Sequence, residues 1–195
     1  MSKAIKHIRA GLLHIEVIGS VPERPLGPRG RASRSRPTSA AQQFYNDKCS
    51  WKELELILAA SFWKRALVLT YTYDDEHLPA DKNAGDKSFQ KHIRKLRAAR
   101  RMRGDELRYV YNTEGFHEKR SNGPLEEDGE LEDRRIHHHV VINSTSANDL
   151  EEIRSLWHGG GYIRVEPLDV HYYRELAKYL TKERGSWPAK ARVPH

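Results

Sequence analysis

The chain has a single cysteine, Cys49. An intramolecular disulfide is therefore excluded, and so is any zinc site built on cysteine pairs. Long apolar runs are missing too. The stretch from Gly11 to Val21 is interrupted by His14, Glu16 and Gly19, so it is too broken for a secretory leader. No segment approaches the ~20 apolar residues of a membrane span. These absences predict a soluble protein of a reducing cytoplasm. Apolar residues make up 37% of the 195 and charged residues 31%, enough for one packed core under a strongly solvated surface. The mean hydropathy of -0.81 agrees. Acidic charge is the minority sign: 27 Asp and Glu stand against 34 Lys and Arg, a net +7. That balance favours a polyanionic partner, because neutralising phosphates releases condensed counterions. DNA, RNA and an anionic membrane all satisfy it.

The order of patterns along the chain predicts an α+β fold. Residues 1 to about 40 read as irregular. Pro22, Pro25, Pro28 and Pro37 lie among Arg24, Arg29, Arg31, Arg34 and Arg36, which is the composition of a basic arm. Residues 39–60 read as a helix, so 1–60 is expected to be arm plus helix, 61–185 the main domain and 186–195 a tail. Residues 66–73 (ALVLTYTY), 107–113 (LRYVYNT), 136–143 (IHHHVVIN) and 162–165 read as strands. Helices are expected at 86–103, where Phe89, Ile93 and Leu96 recur at helical spacing, at 148–157 and at 170–183. Gly159, Gly160 and Gly161 read as a turn. The order is strand, helix, strand, strand, helix, strand, then one more helix. It predicts a ferredoxin-like βαββαβ antiparallel sheet with helices on one face.

Three groups of residues suggest chemistry on that frame. In His137-His138-His139, alternation along a strand points His137 and His139 the same way and His138 the other. Two imidazoles so placed can share a metal ion. Glu114 ends the preceding strand and would lie beside them, completing a His-His-carboxylate set with open positions. His117 competes with Glu114 as third ligand. Near the C-terminus, Tyr179 and Lys182 share a helix face at i, i+3, and Lys178 lies beside Lys182 at i, i+4. A tyrosine can act as a covalent nucleophile, and a nearby ammonium favours its phenolate. Each group alone is more often ordinary structure. Arg94, Lys95, Arg97, Arg100 and Arg101 on the basic helix, together with Lys178, are candidate contacts to a nucleic-acid backbone, against the plainer reading of a solvated helix face.

Taken in order, four segments resemble the HUH endonucleases, the replication initiators of rolling-circle plasmids and small single-stranded DNA phages. These are ALVLTYTYDDEHLP, YNTEG at 111–115, RRIHHHVVIN, and WHGGGYIRVEP followed by ELAKYLTKE. The resemblance runs from about Ala66 to Glu183. It implies that His137, His139 and Glu114 hold Mg2+ or Mn2+, that Tyr179 is the nucleophile and that Lys182 assists it. It implies an enzyme that nicks single-stranded DNA at an origin, keeps a 5′-phosphotyrosine link, and frees a 3′-hydroxyl that primes rolling-circle replication. Later rejoining would complete the cycle, with a host helicase and polymerase as partners. The chain departs from the family pattern twice. His138 stands where a hydrophobic residue is usual. Glu175 stands where two-tyrosine members carry a second tyrosine, so a single-tyrosine enzyme is expected, unless Tyr172 or Tyr173 substitutes. Rival expectations are a single-tyrosine transposase or mobilisation relaxase of the same chemistry, and a non-catalytic nucleic-acid-binding module that stacks bases on Tyr109 and Tyr111.

Overall fold

The computed structural model describes residues 3–20, 40–115 and 135–181. Its main body is a four-stranded antiparallel sheet with four helices. In chain order the elements are β1 (Lys3–Ala10), β2 (Leu13–Ser20), α1 (Ala40–Ser61), β3 (Leu67–Tyr73), α2 (Lys82–Met102), β4 (Tyr109–Glu114), β5 (His137–Ile142), α3 (Asp149–Leu156), β6 (Gly160–Pro167) and α4 (Tyr173–Leu180). The large sheet runs β4-β5-β3-β6. The β-branched and aromatic runs supply its two central strands, β5 and β3, whose register sets Thr70 opposite His139 and Thr72 opposite His137.

Helices cover both faces of this sheet rather than one. On one face, Phe89, Ile93 and Leu96 of α2 and Ile153 of α3 pack with Leu69, Tyr71, Tyr73, Tyr111, Val140 and Ile142. On the other, Leu54, Leu58 and Phe62 pack with Tyr173, Ala177, Leu180, Val110 and Val141. The reason is local. Val140 and Val141 are consecutive, so they point to opposite faces and each needs its own cover. The apolar positions of α1 and α4 recur at helical spacing and supply the second cover.

The expectation of an irregular stretch up to residue 40 is corrected at its start, where β1 and β2 form an antiparallel hairpin. Gly11 turns it with φ +56°, and a Cβ there would lie 2.0 Å from the Ala59 carbonyl oxygen. Only glycine allows that approach to α1. Ala10 and Leu13 join the α1 core. The glycine run is corrected too: Gly160 and Gly161 belong to β6. Gly160, at φ +68°, pairs with Tyr73 across a register shift. The proline-rich arm and the tail lie outside the described residues. Among those described, no helix is long and apolar enough to cross a membrane.

Candidate metal centre and tyrosine

The β4–β5 register places Glu114 directly opposite His137 and Asn112 opposite His139. Alternation then brings Glu114, His137 and His139 to one face, the face covered by α1 and α4. Oε2 of Glu114 lies 3.4 Å from Nε2 of His137 and 3.4 Å from Nε2 of His139. The side chains are 13%, 27% and 7% exposed in that order, so the cluster is shielded yet reachable. Partial burial opposes the charge of Glu114, but hydrogen bonds from both imidazoles outweigh it and hold the carboxyl at about 2.

The hydrogen bonds on the far side of the rings say what the cluster wants. Nδ1 of His137 lies 2.9 Å from the Arg135 carbonyl oxygen, which can only accept. Nδ1 therefore carries a proton, and Nε2 is turned toward the carboxylate. Nδ1 of His139 meets Thr70 Oγ1 at 3.2 Å, a partner able to take the same role. Two ring nitrogens and an anion thus converge. A cation fits the gap between them. A ring whose Nδ1–H is fixed by a carbonyl or hydroxyl is the usual support of a metal-binding histidine. Among the described residues, Glu114, His137 and His139 form one of two groups whose donor atoms lie within 4.8 Å of one another.

Tyr179 comes to this cluster from α4. Its Oη lies 3.0 Å from His139 Nε2, and the two rings meet edge to face with centroids 4.9 Å apart. The helix is held by Ala177 and Leu180 in the core and by Tyr173, whose hydroxyl donates to the Phe62 carbonyl. Tyr179 itself is 45% exposed, open to a substrate on one side.

His138 occupies the opposite face and is fully buried. Thr113 gives its hydroxyl proton to Asp86 and so accepts from His138 Nδ1 at 2.9 Å. His138 Nε2 then accepts from the Tyr73 hydroxyl at 2.8 Å, and the ring stacks on Phe89. Desolvation pushes it down to about 3, so it is neutral. A polar ring is tolerated in this core because both its nitrogens are satisfied.

The remaining candidates divide. Lys178 is exposed, with its ammonium 5.1 Å from the centre of the Trp51 ring. Lys182 and His117 lie outside the described residues. Arg94, Lys95 and Arg101 are exposed on α2, and Arg97 is bonded to the Tyr109 hydroxyl. All four belong to the helix that covers the face away from Glu114 and the histidines. Arg100 is a correction: it is fully buried, bonded to the Asn143 carbonyl at 2.8 Å and 3.3 Å from the Asp149 carboxylate. It is four residues beyond Leu96, on the apolar stripe, and cannot reach a DNA backbone. Tyr111 is buried under α2, so it offers no open stacking surface. The sequence reading missed Thr70 and Arg164. Arg164 pairs with Thr70 across β3 and β6 and is an exposed cation on the cluster's own face, bonded to Glu166 at 2.6 Å. Alternation through YIRVEP was the available signal.

No family model, curated protein or solved structure matches this chain.

Proposed function

We propose that the chain is a metal-dependent enzyme of the HUH endonuclease type that nicks and rejoins single-stranded DNA. The observation that carries this reading is the 3.0 Å approach of the Tyr179 hydroxyl to a cluster of two imidazoles and one carboxylate. Three separate elements, β4, β5 and α4, contribute one class of group each. The β4-β5-β3-β6 order supports the ferredoxin-like arrangement of that class, with α1 and the hairpin added to it.

Glu114, His137 and His139 would hold Mg2+ or Mn2+. Glu114 and the phosphate and water oxygens of the open positions suit such an ion, and the two imidazoles complete its ligands. Bound there, the ion would neutralise charge building on a phosphodiester. The protein's own groups do the rest. Thr70 and the Arg135 carbonyl hold the imidazoles in orientation. Tyr179 presents its oxygen beside the same point, so a phosphate seated over the cluster lies next to the nucleophile. The phenol oxygen bonds to phosphorus, the bond to the 3′ oxygen breaks, the phenol loses its proton and the leaving oxygen gains one. The product is a 5′-phosphotyrosine and a free 3′-hydroxyl able to prime rolling-circle replication by host helicase and polymerase. Reversal rejoins the strand without a nucleotide cofactor, because the phosphotyrosine keeps the ester bond. One tyrosine at the cluster fits a single-tyrosine cycle: Tyr173 is buried in the core beside α1, and Tyr172 is the N-cap of α4.

The test is covalent capture. A pool of single-stranded oligonucleotides is incubated with the protein and Mn2+, and detergent-resistant adducts are sequenced. Wild-type protein is expected to trap one sequence. An adduct that survives Tyr179→Phe would remove the nucleophile, and cleavage that survives His137→Ala with His139→Ala would remove the metal centre.

A further inference from the structure

The β1–β2 hairpin has two unlike faces. Ala10 and Leu13 pack against α1. The opposite face looks outward and carries, from the turn, the pairs Arg9–His14, His7–Glu16 and Ile5–Ile18. His7 Nδ1 lies 3.3 Å from Glu16 Oε1. The His7 and His14 rings stack with centroids 5.7 Å apart and planes 30° apart. One donor atom from each of His7, His14 and Glu16 lies within 4.8 Å of the others. A simple ion pair accounts for His7 and Glu16 but leaves the second imidazole without a role.

We propose that this outward face is a second metal site, in which His7, His14 and Glu16 bind a transition-metal dication of the Zn2+, Ni2+ or Cu2+ kind. The donor set decides the class. Two imidazoles and one carboxylate, with no substrate phosphate to add oxygens, suit these ions better than Mg2+, which prefers oxygen ligands in near-octahedral geometry. Three protein donors at an exposed surface leave the remaining positions to water. Arg9 is the cross-strand partner of His14, at the turn end of this face. The consequence is structural. A two-stranded hairpin is marginal on its own, and an ion bound across both strands clamps β1 to β2 and stabilises the folded form by mass action. This inference is independent of the nicking chemistry.

The experiment uses the full chain carrying His137→Gln and His139→Gln, titrated with Zn2+ by calorimetry near pH 7.5. One equivalent is expected in this background. Adding His7→Gln and His14→Gln is expected to weaken that binding by about a hundredfold or abolish it, since ligands are removed rather than supported. Mg2+ is expected to give no heat in the same background. Absence of the equivalent, or its survival after His7→Gln and His14→Gln, overturns the site. Should the background variant fold poorly, the unmodified chain answers instead by NMR. Zn2+ is then expected to shift the His7 and His14 ring signals up to a stoichiometric end point, and unmoved signals overturn the proposal.

Discussion

Replacing Glu114 by Gln removes the only anion of the tyrosine-side cluster while keeping its shape. The carboxyl is held at about 2 against its ordinary value of 4.5. At about 1.4 kcal/mol per unit, this is on the order of 3 kcal/mol of stability in the ionised form. The group's pKa is lower in the folded state, so this stability is present above about 4.5 and is lost as pH falls toward 2. Between pH 6 and pH 3 the loss is roughly 2 kcal/mol. The side chain is 13% exposed, so solvent screening takes only a small part of it. The assay is urea unfolding followed by circular dichroism, with chelator, at both pH values. Wild type minus Glu114→Gln is expected to shrink by roughly 2 kcal/mol on going to pH 3. A difference that stays constant across the range would mean that the imidazoles do not grip this carboxylate, and the cluster's electrostatics as described here would fail. In neutral solution the same variant is expected to lose Mn2+ binding, because the converging ring nitrogens then lack their anion.

Two further substitutions separate structure from site. Arg100→Met leaves the buried Asp149 without one of its two guanidinium partners, the other being Arg103 at 3.2 Å. Chemical denaturation is expected to show a loss of roughly 3–5 kcal/mol, with the affinity of the folded protein for single-stranded DNA unchanged; a stable variant with weakened DNA binding would restore Arg100 to the surface role that its burial denies. Thr70→Val removes the hydroxyl beside His139 Nδ1 and is expected to weaken Mn2+ binding about 10- to 100-fold with little change in unfolding midpoint. Equal affinity in a calorimetric titration would show that Thr70 does not orient the ring.

Much of the frame was legible because the strands are short, β-branched and aromatic. The run at 136–143 even announces its register, since alternation alone puts His137 and His139 together. What stayed hidden depends on contacts far apart in sequence. The hairpin was missed because its turn is Gly11-Leu12 and not an Asn-Gly signal, and a proline-rich stretch follows it. The second helical layer was missed because a two-sided strand reads like a one-sided one until Val140 and Val141 are taken as a pair. Arg100 is the opposite case. Its place four residues after Leu96 marked it as inward-facing, but charge was weighed above periodicity. The tautomer of His137 was never readable, since the carbonyl that sets it comes from the backbone of Arg135.

The contact of His139 with Thr70 has a consequence for Tyr179. With the Nδ1–H of His139 given to Thr70, its Nε2 accepts from the phenol across the 3.0 Å contact. A cation at the cluster needs the same lone pair. Tyrosine and metal therefore compete for one atom, and metal binding must break the bond that parks the phenol. A hydrogen bond of this kind is worth about 1 kcal/mol net. Tyr179→Phe removes the competitor and is expected to bind Mn2+ about fivefold more tightly than wild type. The nucleophile would thus be released for its substrate only when the ion that prepares the phosphate has arrived. Weaker Mn2+ binding by Tyr179→Phe would mean instead that the phenol oxygen is itself a ligand. An unchanged affinity would mean that the contact is incidental and that His139 meets the metal without reference to Tyr179.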